Sequence, residues 1–327
     1  MDENTSFSND LIRVFVDALK LSSDLFRIMV PVIITVKVLQ EFDLIKYLAI
    51  PLGPVMRLVG LPPEMGLVWA TAMLNNLYGA VIVFLSLVGD TPVTTAQATV
   101  LCTMMLVAHN LPVELKIAQI SGPRIMFQAV SRSGSALLLG WLLHIVTSRM
   151  NLLGHPAIFF VKPQISAAVD DKNWMLWAAG ELQNLVSIFF VILGLLLLMH
   201  VLEKLKIISA MNRLLRPVLG FMGIGPKASA VTVVGLTMGI AYGGGLIIHE
   251  ARTGLIPKKD VFYSLTLMGL SHSLIEDTLL MMMIGGHLSG LIWARLVFSI
   301  IAVAFVVKVS KRLPRALSDR FLWGEPQ

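Results

Sequence analysis

The chain has 327 residues, of which 56% are hydrophobic and only 14% charged, with a mean hydropathy of +0.80. Soluble domains carry roughly 25% charged residues, so this chain has too little charge to solvate an ordinary surface and reads as a polytopic membrane protein. Its pI near 9.5 is not a sign of nucleic-acid binding, because membrane proteins gather Lys and Arg on their cytoplasmic side; its single cysteine, Cys102, excludes an internal disulfide framework and a Cys-based zinc site.

The N-terminal MDENTSFSND is polar and acidic and lacks the basic start and small-residue cleavage site of a signal peptide. It is expected to stay on the mature protein. Four hydrophobic stretches follow, near 25–42, 66–88, 94–120 and 125–146, and four more lie near 186–202, 228–249, 261–284 and 288–307. Stretches approaching about 20 apolar residues are long enough to cross a bilayer as a helix.

The two sets of four are related. A shift of 163 residues places Pro54 on Pro217, Gly60 on Gly223, Pro63 on Pro226, His109 on His272, Glu114 on Asp277, Gly122 on Gly285 and Arg132 on Arg295. An ordered series of this kind marks an internal repeat. It divides the chain into a first repeat at 10–147, a polar connector at 148–173, a second repeat at 174–308 and a basic cytoplasmic tail at 309–327.

The second stretch of each repeat is interrupted, by Asn75, Asn76, Tyr78 and Gly79 in one and by Tyr242, Gly243, Gly244 and Gly245 in the other. Each glycine weakens a helix by about 1 kcal/mol relative to alanine, and such runs suit a re-entrant hairpin tip. The third stretch is broken at "HNLP", where Pro112 removes an amide donor, and at "SHSL". Irregular backbone at membrane depth is tolerated where protein or a water-filled cavity satisfies it. With the second stretch as a non-crossing hairpin, each repeat crosses three times and the two are inverted. Placing the N-terminus in the cytoplasm puts 19 of the 26 basic residues there, as the positive-inside rule requires. Four full crossings per repeat would instead export the basic tail. The expected fold is therefore all-α, two inverted repeats in the cell (inner) membrane, each with three transmembrane helices, a re-entrant helical hairpin and a broken helix, and with both termini cytoplasmic.

At "RPVLGFMGIGPKASAVTVVGLTMGIAYGGGLIIHEARTG" the chain resembles the nucleoside-recognition, or gate, domain of concentrative nucleoside transporters, ferrous-iron transporter membrane domains and spore-maturation membrane proteins. "GPVMRLVGLPPEMGLVWATAMLNNLYGA" echoes it in the first repeat. The resemblance implies a transport core of inverted repeats with hairpins and partly unwound helices. The chain looks shorter than those transporters, and their nucleoside-contacting residues do not match it one by one, so the resemblance carries architecture better than substrate.

The candidate substrate-binding residues are Asn75, Asn76, Tyr78, Gly79, His109, Asn110, Glu114, Tyr242, Gly243, Gly244, Gly245, His272, Ser273, Glu276 and Asp277. Glu114 and Asp277 recur in both repeats five residues after a histidine. Carboxylates at membrane depth usually line a polar pathway; the plainer alternative is that each caps a short helix. His109 and His272 read either as relay or cargo contacts or as hydrogen-bonded packing residues. The hairpin tips offer amide, phenol and bare backbone to a polar solute, or simply allow close helix packing. Arg132 and Arg295 either snorkel to the interface or pair with the carboxylates. "HEART" at His249 lacks the second histidine of H-E-x-x-H, and no Walker A motif is present. Not being an enzyme is the expectation.

These residues predict a secondary transporter of a small polar solute, nucleoside-like by the resemblance, working by alternating access around a midplane site. The alternatives are a divalent-cation transporter using His109, Glu114, His272 and Asp277, whose imidazole and carboxylate groups suit Fe, Mn or Zn, and a non-transporting component that assists a partner. No cofactor is expected beyond a coupling proton or sodium ion. The expected partners are the solute and the bilayer, not nucleic acid, with self-association left open.

Overall fold

A computed structural model of the chain describes residues 3–42, 44–160 and 174–326. Among these there is no strand, only two isolated bridges, Thr94 with Pro156 and Pro123 with Trp323. The helices in chain order are α1 (Glu3–Glu41), α2 (Leu44–Ala49), α3 (Gly53–Leu58), α4 (Met65–Leu74), α5 (Leu77–Leu87), α6 (Thr95–Val107), α7 (Leu111–Ile120), α8 (Ile125–Arg149), α9 (Trp174–Lys204), α10 (Ile207–Phe221), α11 (Pro226–Met238), α12 (Ile240–Arg252), α13 (Lys258–Ser271) and α14 (Glu276–Met283). A wider π-helical turn at Ser289–Ala294 runs into α15 (Arg295–Ser310), and α16 (Arg315–Phe321) follows.

Among the described residues four segments are long and apolar enough to cross a membrane: Thr95–Ile120, Ile125–Arg149, Trp177–Leu202 and Ser289–Ser310. They differ in burial. Over an 18-residue apolar window, 78% of the first is buried within the protein, against 22%, 17% and 33% of the other three. α6 therefore forms the interior together with α13, whose residues from Asp260 to Ser271 are all buried. α8 packs on both and α15 on α13, and with α9 they turn Val130, Trp141, Phe190, Ile301 and Phe305 outward, an apolar surface that a bilayer covers.

Local chemistry sets the bounds of the central helices. Thr94 opens α6 with a capping box, its hydroxyl accepting from the Gln97 amide while the Gln97 side chain accepts from the Thr94 amide. Several core hydroxyls donate to carbonyls one turn back, as Thr99 does to Thr95 at 2.6 Å and Thr266 to Phe262 at 2.7 Å, whereas the buried hydroxyls of Thr103 and Thr278 have no partner among the described residues. Gln128 of α8 then donates to the Thr266 hydroxyl of α13 at 3.0 Å, joining the two sequence halves.

Backbone features recur at the 163-residue offset that separates His109 from His272. α5 and α12 begin at Leu77 and Ile240, and α6 and α13 at Thr95 and Lys258. Positive φ recurs in matched pairs: Gly60 (71°) with Gly223 (86°), Asn110 (47°) with Ser273 (50°), and Gly122 (113°) with Gly285 (90°).

One detail differs from the sequence expectation, and two more lie beyond what the sequence addressed. Tyr242, Gly243, Gly244 and Gly245 lie within α12, and the chain breaks instead at Gly239. At φ 94° and ψ 165° Gly239 occupies a region open essentially to glycine alone, whereas a glycine run can stay helical when its surroundings hold it. The part of the connector that is described is docked: Thr95 donates to His155 O, Ala157 to Val93 O and Phe160 to Met283 O. Connector residues 161–173, with Lys162 and Lys172, lie outside the described residues. The basic tail is also docked, with Arg124 donating to Asp319 O through Nε and Nη2 and Trp323 packed 5.3 Å from the Phe262 ring.

Candidate functional site

The centre forms where α6 gives way to α7 and α13 to α14. Asn110 turns the chain in the left-handed region and its amide donates to Ala72 O, at the end of α4, at 2.8 Å. On the other side Ser273 adopts the same conformation and the next amide, Leu274, donates to Leu236 O of α11 at 2.9 Å. Each of these turns is thus anchored by one backbone bond, on α4 or on α11.

These anchors bring the histidines face to face. His109 Nε2 and His272 Nε2 are 3.2 Å apart, and both residues are buried. Glu114 Oε1 lies 3.5 Å from the first and 3.4 Å from the second. Asp277 Oδ2 stands 3.8 Å from His109 Nε2 and is the more open of the two carboxylates, its side chain 16% exposed. The two Nδ1 atoms are fixed by backbone: His109 Nδ1 is 3.0 Å from Met105 O and His272 Nδ1 is 2.8 Å from Met268 O. A carbonyl only accepts, so each Nδ1 carries the hydrogen. In the neutral rings both Nε2 atoms then present lone pairs to one another and to Glu114.

Two arginines brace this arrangement from α8 and α15, and both are almost wholly buried, Arg132 at 2% and Arg295 at 0% exposure. Arg132 donates from Nε to Val107 O, from Nη2 to His109 O and from Nη1 to Glu114 Oε2 at 2.5 Å. Arg295 repeats the first two bonds at equivalent positions, to Leu270 O at 3.0 Å and to His272 O at 2.6 Å. Its Nη1 is buried with no hydrogen-bond partner among the described residues. Of the two readings open for these arginines, burial excludes snorkelling, and Arg132 pairs with a carboxylate.

The other candidates lie outside this cluster. Asn76 caps α5, its Oδ1 accepting from the Gly79 amide at 2.8 Å, and its Nδ2 donates to Asn75 Oδ1 at 3.2 Å. A Cβ on Gly79 would lie 2.8 Å from Asn75 Nδ2, so that turn is closely packed. Tyr78 donates to Glu276 Oε1 at 3.4 Å, tying the first hairpin to the start of α14. Gly245 is exposed, and an added Cβ there meets open space; the surroundings of Tyr242, Gly243 and Gly244 lie outside the described set. Gly239, absent from the sequence-derived candidates, lies against the centre: a Cβ on it would be 3.8 Å from Ser273 Cβ. The 163-residue offset places it opposite Asn76, and that correspondence was available in the sequence.

The chain is 25% identical over 261 residues to YvoD, an uncharacterized membrane protein of Bacillus subtilis (strain 168), an alignment covering 79% of this chain and 81% of that protein. No family model matches the chain, and no solved structure matches it. The relative and the apolar spans agree. This is a membrane protein.

Proposed function

We propose that the chain is a secondary transporter that moves a small polar or ionic cargo through the His109–His272 centre by alternating access, without converting it chemically. The observation that carries this reading is the composition of the centre: two histidines, two carboxylates and two arginines gathered inside an apolar protein. A charged group at mid-membrane costs about 3 kcal/mol on insertion scales, and groups retained there commonly mark a cargo or ion pathway.

The matched backbone supports reading the halves as inverted repeats. In this reading α4–α5 and α11–α12 are hairpins that enter and leave by one face, while α6–α7 and α13–α14 are crossings interrupted at mid-membrane. Three crossings per half invert the second relative to the first, and the distribution of basic residues puts both termini in the cytoplasm. Inverted repeats of this kind place discontinuous helices around a shared cargo site. The resemblance to the nucleoside-recognition domain favours a nucleoside-like cargo. The spacing of the acceptor atoms, 3.2–3.5 Å, favours a single cation instead.

The test is flux. Purified full-length protein in proteoliposomes is offered labelled uridine and adenosine, and separately Mn²⁺ or Zn²⁺ read by an enclosed indicator. One cargo is expected to enter faster than in protein-free vesicles, with the rate lowered at least about tenfold by His109→Gln, as loss of about 1.4 kcal/mol of transition-state stabilisation would give. Uptake of none of them would overturn the transport reading in favour of a component that assists a partner.

A further inference from the structure

The geometry points to a metal: we propose that His109 Nε2, His272 Nε2 and Glu114 Oε1 bind one divalent transition-metal cation, with Asp277 beside the remaining coordination position. The inference names a cargo class for the centre used by the transport reading, and rests on that reading only in treating the bound ion as cargo.

The argument begins with the tautomers. Because the Met105 and Met268 carbonyls hold both Nδ1–H groups, three acceptor atoms meet with no donor hydrogen between them. At separations of 3.2, 3.4 and 3.5 Å their lone pairs repel unless a positive centre lies among them. An anion or a neutral acceptor would add to the repulsion.

The separations also carry a size. Ligands held about 2.0–2.2 Å from a tetrahedral metal lie roughly 3.3–3.6 Å from one another, which is close to the three edges seen here. His109, Glu114 and His272 are all buried, so no side chain has to leave solvent to complete the set. Two imidazoles and a carboxylate suit Zn²⁺, Fe²⁺, Mn²⁺ or Co²⁺, whereas Mg²⁺ and Ca²⁺ prefer all-oxygen sites and Cu⁺ prefers sulfur.

The surroundings match what metal-binding histidines ordinarily require. The nitrogen opposite the metal donates to a backbone carbonyl, which fixes tautomer and ring orientation. Arg132 holds Glu114 through Oε2 and leaves Oε1 turned to the imidazoles. Glu114 therefore brings an oriented oxygen whose charge is already shared, and Asp277, 3.8 Å from His109 Nε2, supplies the second negative charge that a divalent ion calls for.

The experiment measures binding without transport. Full-length protein in detergent is stripped with chelator, dialysed against Co²⁺, Zn²⁺ or Mn²⁺, and assayed for metal content and for the visible absorption of bound Co²⁺. One ion per chain and the intense bands of four-coordinate cobalt are expected. His272→Gln should weaken binding at least about 100-fold, the upper range for loss of an outer-shell partner, while His249→Gln, at an exposed histidine near the end of α12, leaves it unchanged. If His272→Gln does not fold, the cobalt spectrum of the unaltered chain decides. Absence of stoichiometric binding overturns the inference and leaves a proton shared by the two rings as the positive centre; binding untouched by a folded His272→Gln also overturns it. Binding without proteoliposome flux upholds the metal site and rejects transport. Flux of a nucleoside without metal binding does the reverse.

Discussion

Arg132 and Arg295 stand at equivalent places, and each donates from Nε and Nη2 to the carbonyls at the end of the neighbouring broken segment. They differ at the third nitrogen. Arg132 Nη1 meets Glu114, whereas Arg295 Nη1 is buried with no partner among the described residues. The residue in the place of Glu114 is Asp277, one methylene shorter. One half of the centre is thus closed by an ion pair and the other is not; besides the one CH₂, α14 starts two residues later than the counterpart of the start of α7. The same anchoring of backbone serves both, so the arginines hold the chain at the ends of α6 and α13, and the carboxylate determines whether the third nitrogen is also hydrogen-bonded.

The sharpest break of this comparison is to remove each arginine in turn. Arg132→Met strands Glu114 as an uncompensated buried charge and is expected to cost about 3–5 kcal/mol of stability. Arg295→Met removes hydrogen bonds to two carbonyls but no ion pair, and should cost about 1–3 kcal/mol. Unfolding of the detergent-solubilised variants, followed by helical circular dichroism, ranks them. Equal losses would mean that the Arg132–Glu114 pair adds nothing to the shared backbone anchoring.

A gentler exchange moves only the methylene. Glu114→Asp draws the carboxylate away from Arg132 and is expected to destabilise by about 1.5–3 kcal/mol, the range for hydrogen bonds to charged groups. Asp277→Glu brings a carboxylate within reach of Arg295 Nη1 and is expected to act in the opposite direction, raising the unfolding midpoint. The same unfolding measurement reads both signs. A destabilising Asp277→Glu would show that the open place beside Arg295 does not admit the longer side chain.

How much of this was legible in the sequence follows from which contacts are local and which depend on helices folding back. Composition gave the membrane class, because charge content needs no fold to be counted. The juxtaposition of His109 with His272 was approached through their recurrence at one offset and through the carboxylate five residues after each. The sequence leaves the partner of Arg132 open between interface and carboxylate, because a separation of 18 residues reveals nothing until α8 is seen to pack along α6. The bond from Tyr78 to Glu276 spans 198 residues and has no sequence signature. Nor does Asp319, whose carbonyl holds Arg124, identify the tail as docked. The second hairpin turn was misplaced for a different reason. Three consecutive glycines drew attention to 243–245, yet glycine permits a break without requiring one, and the lone Gly239 is where positive φ is needed.

That turn supplies the last and smallest comparison. Asn76 and Gly239 correspond at the 163-residue offset and each precedes the helix that leaves a hairpin turn, α5 or α12. They start those helices by different means. Asn76 is extended, at φ −153° and ψ 174°, and its side chain accepts from the Gly79 amide; Gly239 uses a backbone conformation that side chains rarely adopt, at φ 94° and ψ 165°. Exchanging the two residues should therefore be asymmetric. Asn76→Gly loses the cap but keeps an allowed backbone and is expected to cost a few tenths of a kcal/mol. Gly239→Asn would add a capping side chain while straining the backbone, for a net cost of about 1–3 kcal/mol, felt beside Ser273 and hence beside the centre. Unfolding midpoints of the two variants, measured under the same conditions, test the asymmetry. If Gly239→Asn is as mild as Asn76→Gly, the two turns adopt a common backbone and residue 239 is not held in the glycine-only region.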